Sequence, residues 1–173
     1  MVRSVRLLAA ALMAGGAVPL LAATGPSDAE IAHIAYTAGA LDAAAAKQAL
    51  AKTHDPQVRA FAETMLRDHE AVNGKALALV TKLKVAPADN ATSQALAAQA
   101  KATETKLAAL DGKAFDRAYV DNEVAFHRTV NGALKSTLIP AADNGELKAL
   151  LETGLALFGE HQAHAEHLAT SLK

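Results

Sequence analysis

The side chains able to do chemistry in this sequence are imidazoles and carboxylates placed where apolar residues are expected. His69 falls four residues after Met65 and three before Val72, so it continues an apolar stripe at helical spacing. His127 lies three after Val124 and three before Val130, with Glu123, Asp116 and Tyr119 along the same line. Asp42 flanks a third stripe beside Leu41 and Ala45, and His161 follows Leu157 by four on a fourth. Ionisable groups on an apolar stripe are costly unless paired or bound to a metal. Imidazole with carboxylate is a donor set suited to zinc, iron, copper or nickel. Asp42, His69, His127 and His161 are therefore the candidate ligands of a divalent transition metal, with Glu123, Asp116 and Tyr119 as supporting residues. Two other readings stand beside it: a metal-free network in which each His bonds a carboxylate or Tyr119, and imidazoles that point to solvent.

Other chemistries are poorly served. There is no Cys, which excludes disulfides, thiolate metal sites and thiol nucleophiles. No trustworthy Ser-His-Asp spacing, glycine-rich phosphate loop or nucleophile elbow is present. The formal charge of −1 offers no basic field, so nucleic acid is not an expected partner. Glu160, His161 and His164 form a tail cluster able to take a surface ion, but a solvated face near a helix C-terminus explains it more simply. Glu63 with Arg59 and Arg67 reads as a solvent-side row of ion pairs.

These residues must be positioned by helices. Of 173 residues 44 are Ala and 3% are aromatic, a composition that favours helices packed closely. Residues 1–23 carry Arg3 and Arg6, an apolar run from Leu7 to Leu21, then Ala22 and Ala23. That order is a secretory signal. The run is short of the roughly 20 apolar residues a spanning helix needs, so the expected mature domain is 24–173, periplasmic and without a stable membrane span. Anchoring by an uncleaved signal is the alternative. Losing Arg3 and Arg6 leaves 15 basic against 18 acidic residues.

Five helical segments follow. Ser27-Asp28-Ala29-Glu30 is a capping box that opens the first, and it ends near Lys52. Asp55-Pro56 starts the second, closed by Pro87. Ala91 to Leu110 has few large apolar residues and reads as a surface helix. The fourth follows the turn at Asp111-Gly112 and is expected to fail by Pro140. Asp143-Asn144-Gly145-Glu146 has capping-box spacing and opens the last. Four amphipathic helices and one polar connector give an all-α, ferritin-like four-helix bundle with an additional crossover helix. The crossover makes the second and fourth helices parallel, as neighbours or across the diagonal. His69 is then 13 residues past Pro56 and His127 is 14 past Lys113, at one depth, with Asp42 close by. His161 is expected about 12 Å out of level, nearer Tyr119 and Asp116. A shared ion requires the imidazoles of His69 and His127 to lie within about 10 Å.

The stretches Phe61 to His69 and Gly112 to Val120, with their Met-x-x-Asp-His and Phe-Asp-x-x-Tyr pieces, resemble the signatures of the domain of unknown function 4142 family. His127 and His161 fall where that family also carries His, and Asp42 where it usually carries Glu. The likeness spans about Ser27 to Leu168 and implies an exported ferritin-like bundle with no established reaction. Ferritin's di-iron centre does not carry over, because it needs Glu-x-x-His on two helices and that spacing occurs here only once, at Glu30 and His33. The expected function is a non-enzymatic ligand- or metal-binding protein in envelope stress or metal handling. An atypical metal-dependent oxidoreductase and a purely structural module are the rivals.

Overall fold

The computed structural model describes residues 25–172; the expected leader, residues 1–23, lies outside the described residues. The helices are α1 (Asp28–Lys52), α2 (Pro56–Leu83), α3 (Ala91–Ala108), α4 (Gly112–Ala133), a short α5 (Ile139–Ala141) and α6 (Gly145–Ser171). Among the described residues there is no strand, and no helix is long and apolar enough to cross a membrane.

Local chemistry sets most helix ends. The Ser27 hydroxyl accepts from the Glu30 N–H, and the Glu30 carboxylate accepts from the Ser27 N–H, a reciprocal pair that satisfies two orphan donors. The Asp55 carboxylate accepts from the Gln57 and Val58 N–H groups ahead of Pro56. Helix α2 stops before Pro87, because Lys84 turns into the left-handed region at φ 55°. Gly112 opens α4 at φ +56°, a conformation in which any side chain would be strained.

Two ends differ from expectation. The fourth helical segment does not fail before Pro140. Residues Leu134–Leu138 form a π-helical turn that carries the chain into α5. Proline has no N–H and its ring collides with the carbonyl four residues back in an α-helix. In the wider turn Ile139 bonds back to the Leu134 carbonyl, so the helical path survives the proline. The second difference concerns the last helix, where Asn144 rather than Asp143 is the cap, accepting from Glu146 and Leu147. The N–H groups of Asp143 and Asn144 donate to the Asp28 carboxylate instead, tying α6 to the start of α1.

Hydrogen bonds fix the directions. The Ala88 N–H donates to the Ala29 carbonyl, placing the start of α3 beside the start of α1. At the other end, Lys52 bonds the Ala108 carbonyl and pairs with Asp111. Helix α3 thus returns the chain along the bundle, and α2 and α4 run parallel. Arg117 on α4 reaches the carbonyls of Ala169 and Leu172, so α6 is antiparallel to α4. The result is a four-helix bundle of α1, α2, α4 and α6 with α3 as a crossover on its outside. Of α3 only Ser93 and Leu107 are buried.

The core is in two parts. One contains Val58, Phe61, Met65, Phe115, Tyr119 and Leu168; the other contains Ile31, Ile34, Leu134, Leu138, Leu147 and Leu151. Between them lies a buried polar belt: Asp42, His69, Glu123, His127 and His161.

Candidate metal centre

Each helix of the bundle delivers belt residues to one level: Asp42 from α1, His69 from α2, Glu123 and His127 from α4, and His161 from α6. The ring centres of His69 and His127 are 5.6 Å apart, and His161 is 5.4 Å from the first and 5.6 Å from the second. One ring nitrogen from each lies within 4.8 Å of the others. His161 therefore belongs to the cluster and is not displaced toward Tyr119 and Asp116. The displacement expected from sequence assumed a helix ending before Pro140. With the path continued to Ala141, His127 is about 21 Å from that end and His161 about 24 Å past Gly145 at 1.5 Å per residue, nearly level.

The carboxylates approach from one side. Asp42 Oδ2 is 3.4 Å from His69 Nε2 and 3.6 Å from His127 Nε2. Glu123 Oε2 is 3.6 Å from His127 Nδ1, and Asp42, Glu123 and His127 form a second group with ligand atoms within 4.8 Å. A tetrahedral ion with bonds of about 2.1 Å holds its ligand atoms about 3.4 Å apart. The separations around Asp42 Oδ2 are of that size.

Two rings are held by acceptors behind them. His127 Nδ1 is 3.0 Å from the Glu123 carbonyl, which only accepts, so Nδ1 carries the hydrogen. His161 Nε2 is 3.1 Å from Asp68 Oδ2, itself paired with Arg67. Arg67 holds the Asp68 carboxyl below its ordinary range, so Asp68 is ionised and Nε2 donates. The nitrogens left without partners are His127 Nε2, His161 Nδ1 and both of His69. Phe158 stacks on the His69 ring at 4.6 Å and 11°, which fixes its plane.

Burial acts on the two residue types in opposite senses, because it penalises whichever form is charged. It pushes His69 down to about 3 and His127 to about 4, so the imidazoles are neutral. It pushes Asp42 up to about 7, and Glu123 well above its ordinary range with help from the Asp42 charge. Neutral imidazoles are ligands as they stand, whereas the carboxyls must first give up protons.

Of the supporting residues, Tyr119 is raised by burial and by the charges of Glu123 and Asp42, and its hydroxyl has no hydrogen-bond partner. Asp116 is buried but lies seven residues before Glu123, about 10 Å along α4, outside both ligand groups. His164, His167 and Glu160 are exposed, as a solvated face would be. Asp68 and Phe158 went unassigned in the sequence. An acid directly before His69 was the available signal for Asp68, but its partner is on another helix.

Residues 16–168 match the family model described as "Domain of unknown function (DUF4142)". No curated protein matches the chain. Among solved structures it is similar to the "putative secreted protein DUF305" from Streptomyces coelicolor, with a TM-score of 0.69 at 16% identity, over 83% of this chain and 92% of that one. At that identity the likeness concerns the fold.

Proposed function

This chain belongs to the DUF4142 family, and we propose that it is an exported, non-enzymatic protein that holds a divalent transition-metal ion in its polar belt. One observation carries the reading. His127 Nε2, 3.6 Å from Asp42 Oδ2, and His161 Nδ1 are buried without a hydrogen-bond partner, while the other nitrogen of each ring donates to a carbonyl and a carboxylate. A metal-binding His is oriented in this way by its outer partner. A self-sufficient network would have used both nitrogens of each ring, since unpartnered buried polar atoms are costly. His69, His127 and His161 supply three ligands and Asp42 a fourth, with Glu123 beside it. Three imidazoles and a carboxylate suit zinc, copper, nickel or iron.

Metal analysis of protein purified from its native compartment without an affinity tag tests this. One equivalent of a transition metal is expected, lost in His69→Leu. Protein that carries none, and takes up none from added zinc or copper, rules the reading out.

Export rests on the leader-like order of residues 1–23 and on the secreted character ascribed to the DUF305 neighbour. Intact mass should place the mature N-terminus near Thr24, in the periplasm. A full-length chain in the membrane fraction would contradict this.

A further inference from the structure

A cavity of about 380 Å³ runs from the metal belt through the half of the bundle built from Ile34, Leu134, Leu138, Leu147 and Leu151. Its walls are almost wholly apolar, with the small side chains of Ala35, Ala38 and Ala76 leaving the space open. Its inner end is not apolar. There the lining is Asp42, His69 and His127, and His69 is 3% exposed with neither ring nitrogen partnered. At the outside the rim includes Thr92, Thr129 and Thr137, which are exposed. The π-helical turn contributes Leu134, Thr137 and Leu138 to one wall.

We propose that this cavity binds a medium-chain aliphatic carboxylate, its chain among the apolar walls and its carboxylate at the His69–Asp42 end. The head-group assignment rests on the metal reading above: Asp42, His69 and His127, three of the four ligands proposed there, line the inner end of the cavity, so a carboxylate head seated at that end would meet the ion they hold. The size fits. An apolar cavity of about 150 Å³ accepts benzene, so 380 Å³ has room for a body of roughly ten to fifteen carbons. From His69 to Val80, both in the lining, α2 advances about 16 Å at 1.5 Å per residue, enough for an extended chain of about twelve carbons. The walls offer almost no hydrogen-bonding groups, so a sugar, nucleotide or peptide would strand its polar groups there. A single polar head at one end is what the lining can satisfy.

Titration calorimetry with zinc and with dodecanoate tests this on the exported protein. Zinc is added first to chelator-treated protein; no uptake removes the metal reading itself, and the head-group proposal with it. Where zinc binds, dodecanoate should bind the loaded protein one to one and at least tenfold more tightly than the metal-free protein. Dodecylammonium, of equal length and opposite charge, should not show that gain. Ala38→Leu should abolish dodecanoate binding while zinc uptake stays at one equivalent, and Ala76→Leu, nearer the surface, is the second variant should the first not fold. Zinc uptake with no dodecanoate binding, equal affinities with and without zinc, or unchanged binding in the filled variants overturns the proposal and leaves the metal reading standing.

Discussion

The belt places basic and acidic groups under one constraint, since burial makes His69 and His127 weaker bases and Asp42 a weaker acid. For the metal-free protein the signs follow by linkage. An unfolded His takes a proton below about 6.5, which the folded His69 and His127 refuse until about 3 and about 4. Their contribution to stability is present above 6.5 and is lost as pH falls toward those values. Asp42 behaves oppositely. Folded, it keeps its proton up to about 7, whereas the unfolded residue releases it near 3.9. Its contribution is present below that point and lost as pH rises through 7. The two effects oppose each other between about 4 and 6.5, and the acid term alone remains above. Metal-free protein should therefore become less stable from pH 6.5 to 8, where Glu123, also raised by burial, adds a term of the same sign, and Asp42→Asn should make that decline shallower in thermal melts. A bound ion replaces the proton, so metal binding should release protons near neutral pH, measurable by calorimetry in buffers of different ionisation enthalpy. Release of none would mean that neither carboxyl is a ligand. Asp68 acts one step back, through His161 Nε2. Asp68→Ala should weaken metal binding about 10- to 100-fold with the helical content unchanged by circular dichroism.

Helix boundaries and directions were readable because they depend on neighbours in sequence. Ser27 with Glu30, Asp55 with Pro56, and the polar strip of α3 all behave as their local chemistry requires. Pro140 shows where that reading stops. Proline forbids the α-helical hydrogen bond, but the chain had a second solution in the π-helical turn, and only packing of Leu134 and Leu138 in the core selects it. The level of His161 follows from the same choice, and the role of Asp68 is invisible in sequence because its partner comes from α6. Gly39 is a similar case within α1. Sequence shows a glycine in a helix, at a cost of about 1 kcal/mol against Ala. The structure shows why it stays: a Cβ there would collide with the Asn73 side chain, whose amide donates to the Tyr36 carbonyl. Gly39→Ala should lower stability in denaturant melts by about 1–3 kcal/mol, despite the gain in helix propensity. Adding Asn73→Ala should recover part of the loss, and additive losses from the pair would show that the clash is not the cause.

For the molecule as a whole, the belt divides what would be one hydrophobic core into two. A bundle that only needed to be stable would do better with apolar residues there, since replacing buried ionisable groups by well-packed hydrophobes is often neutral or stabilising. Five ionisable residues on four helices make sense if an ion joins them, because it then links all four helices at mid-length. Binding to the native state alone stabilises by RT ln(1 + [L]/Kd), about 2.7 kcal/mol at a free metal concentration 100 times Kd. Chelator-treated protein should accordingly melt at a lower temperature than metal-loaded protein, with a difference that grows with metal concentration. His69→Leu separates the ion from the network. If hydrogen bonds alone held the belt, the substitution would cost about 1–3 kcal/mol and chelator would have no effect on either protein. If the ion holds it, wild type responds to chelator and His69→Leu does not, its melting temperature staying the same at every metal concentration. A wild-type melting temperature indifferent to both chelator and added zinc or copper would leave the belt without the ion that accounts for it.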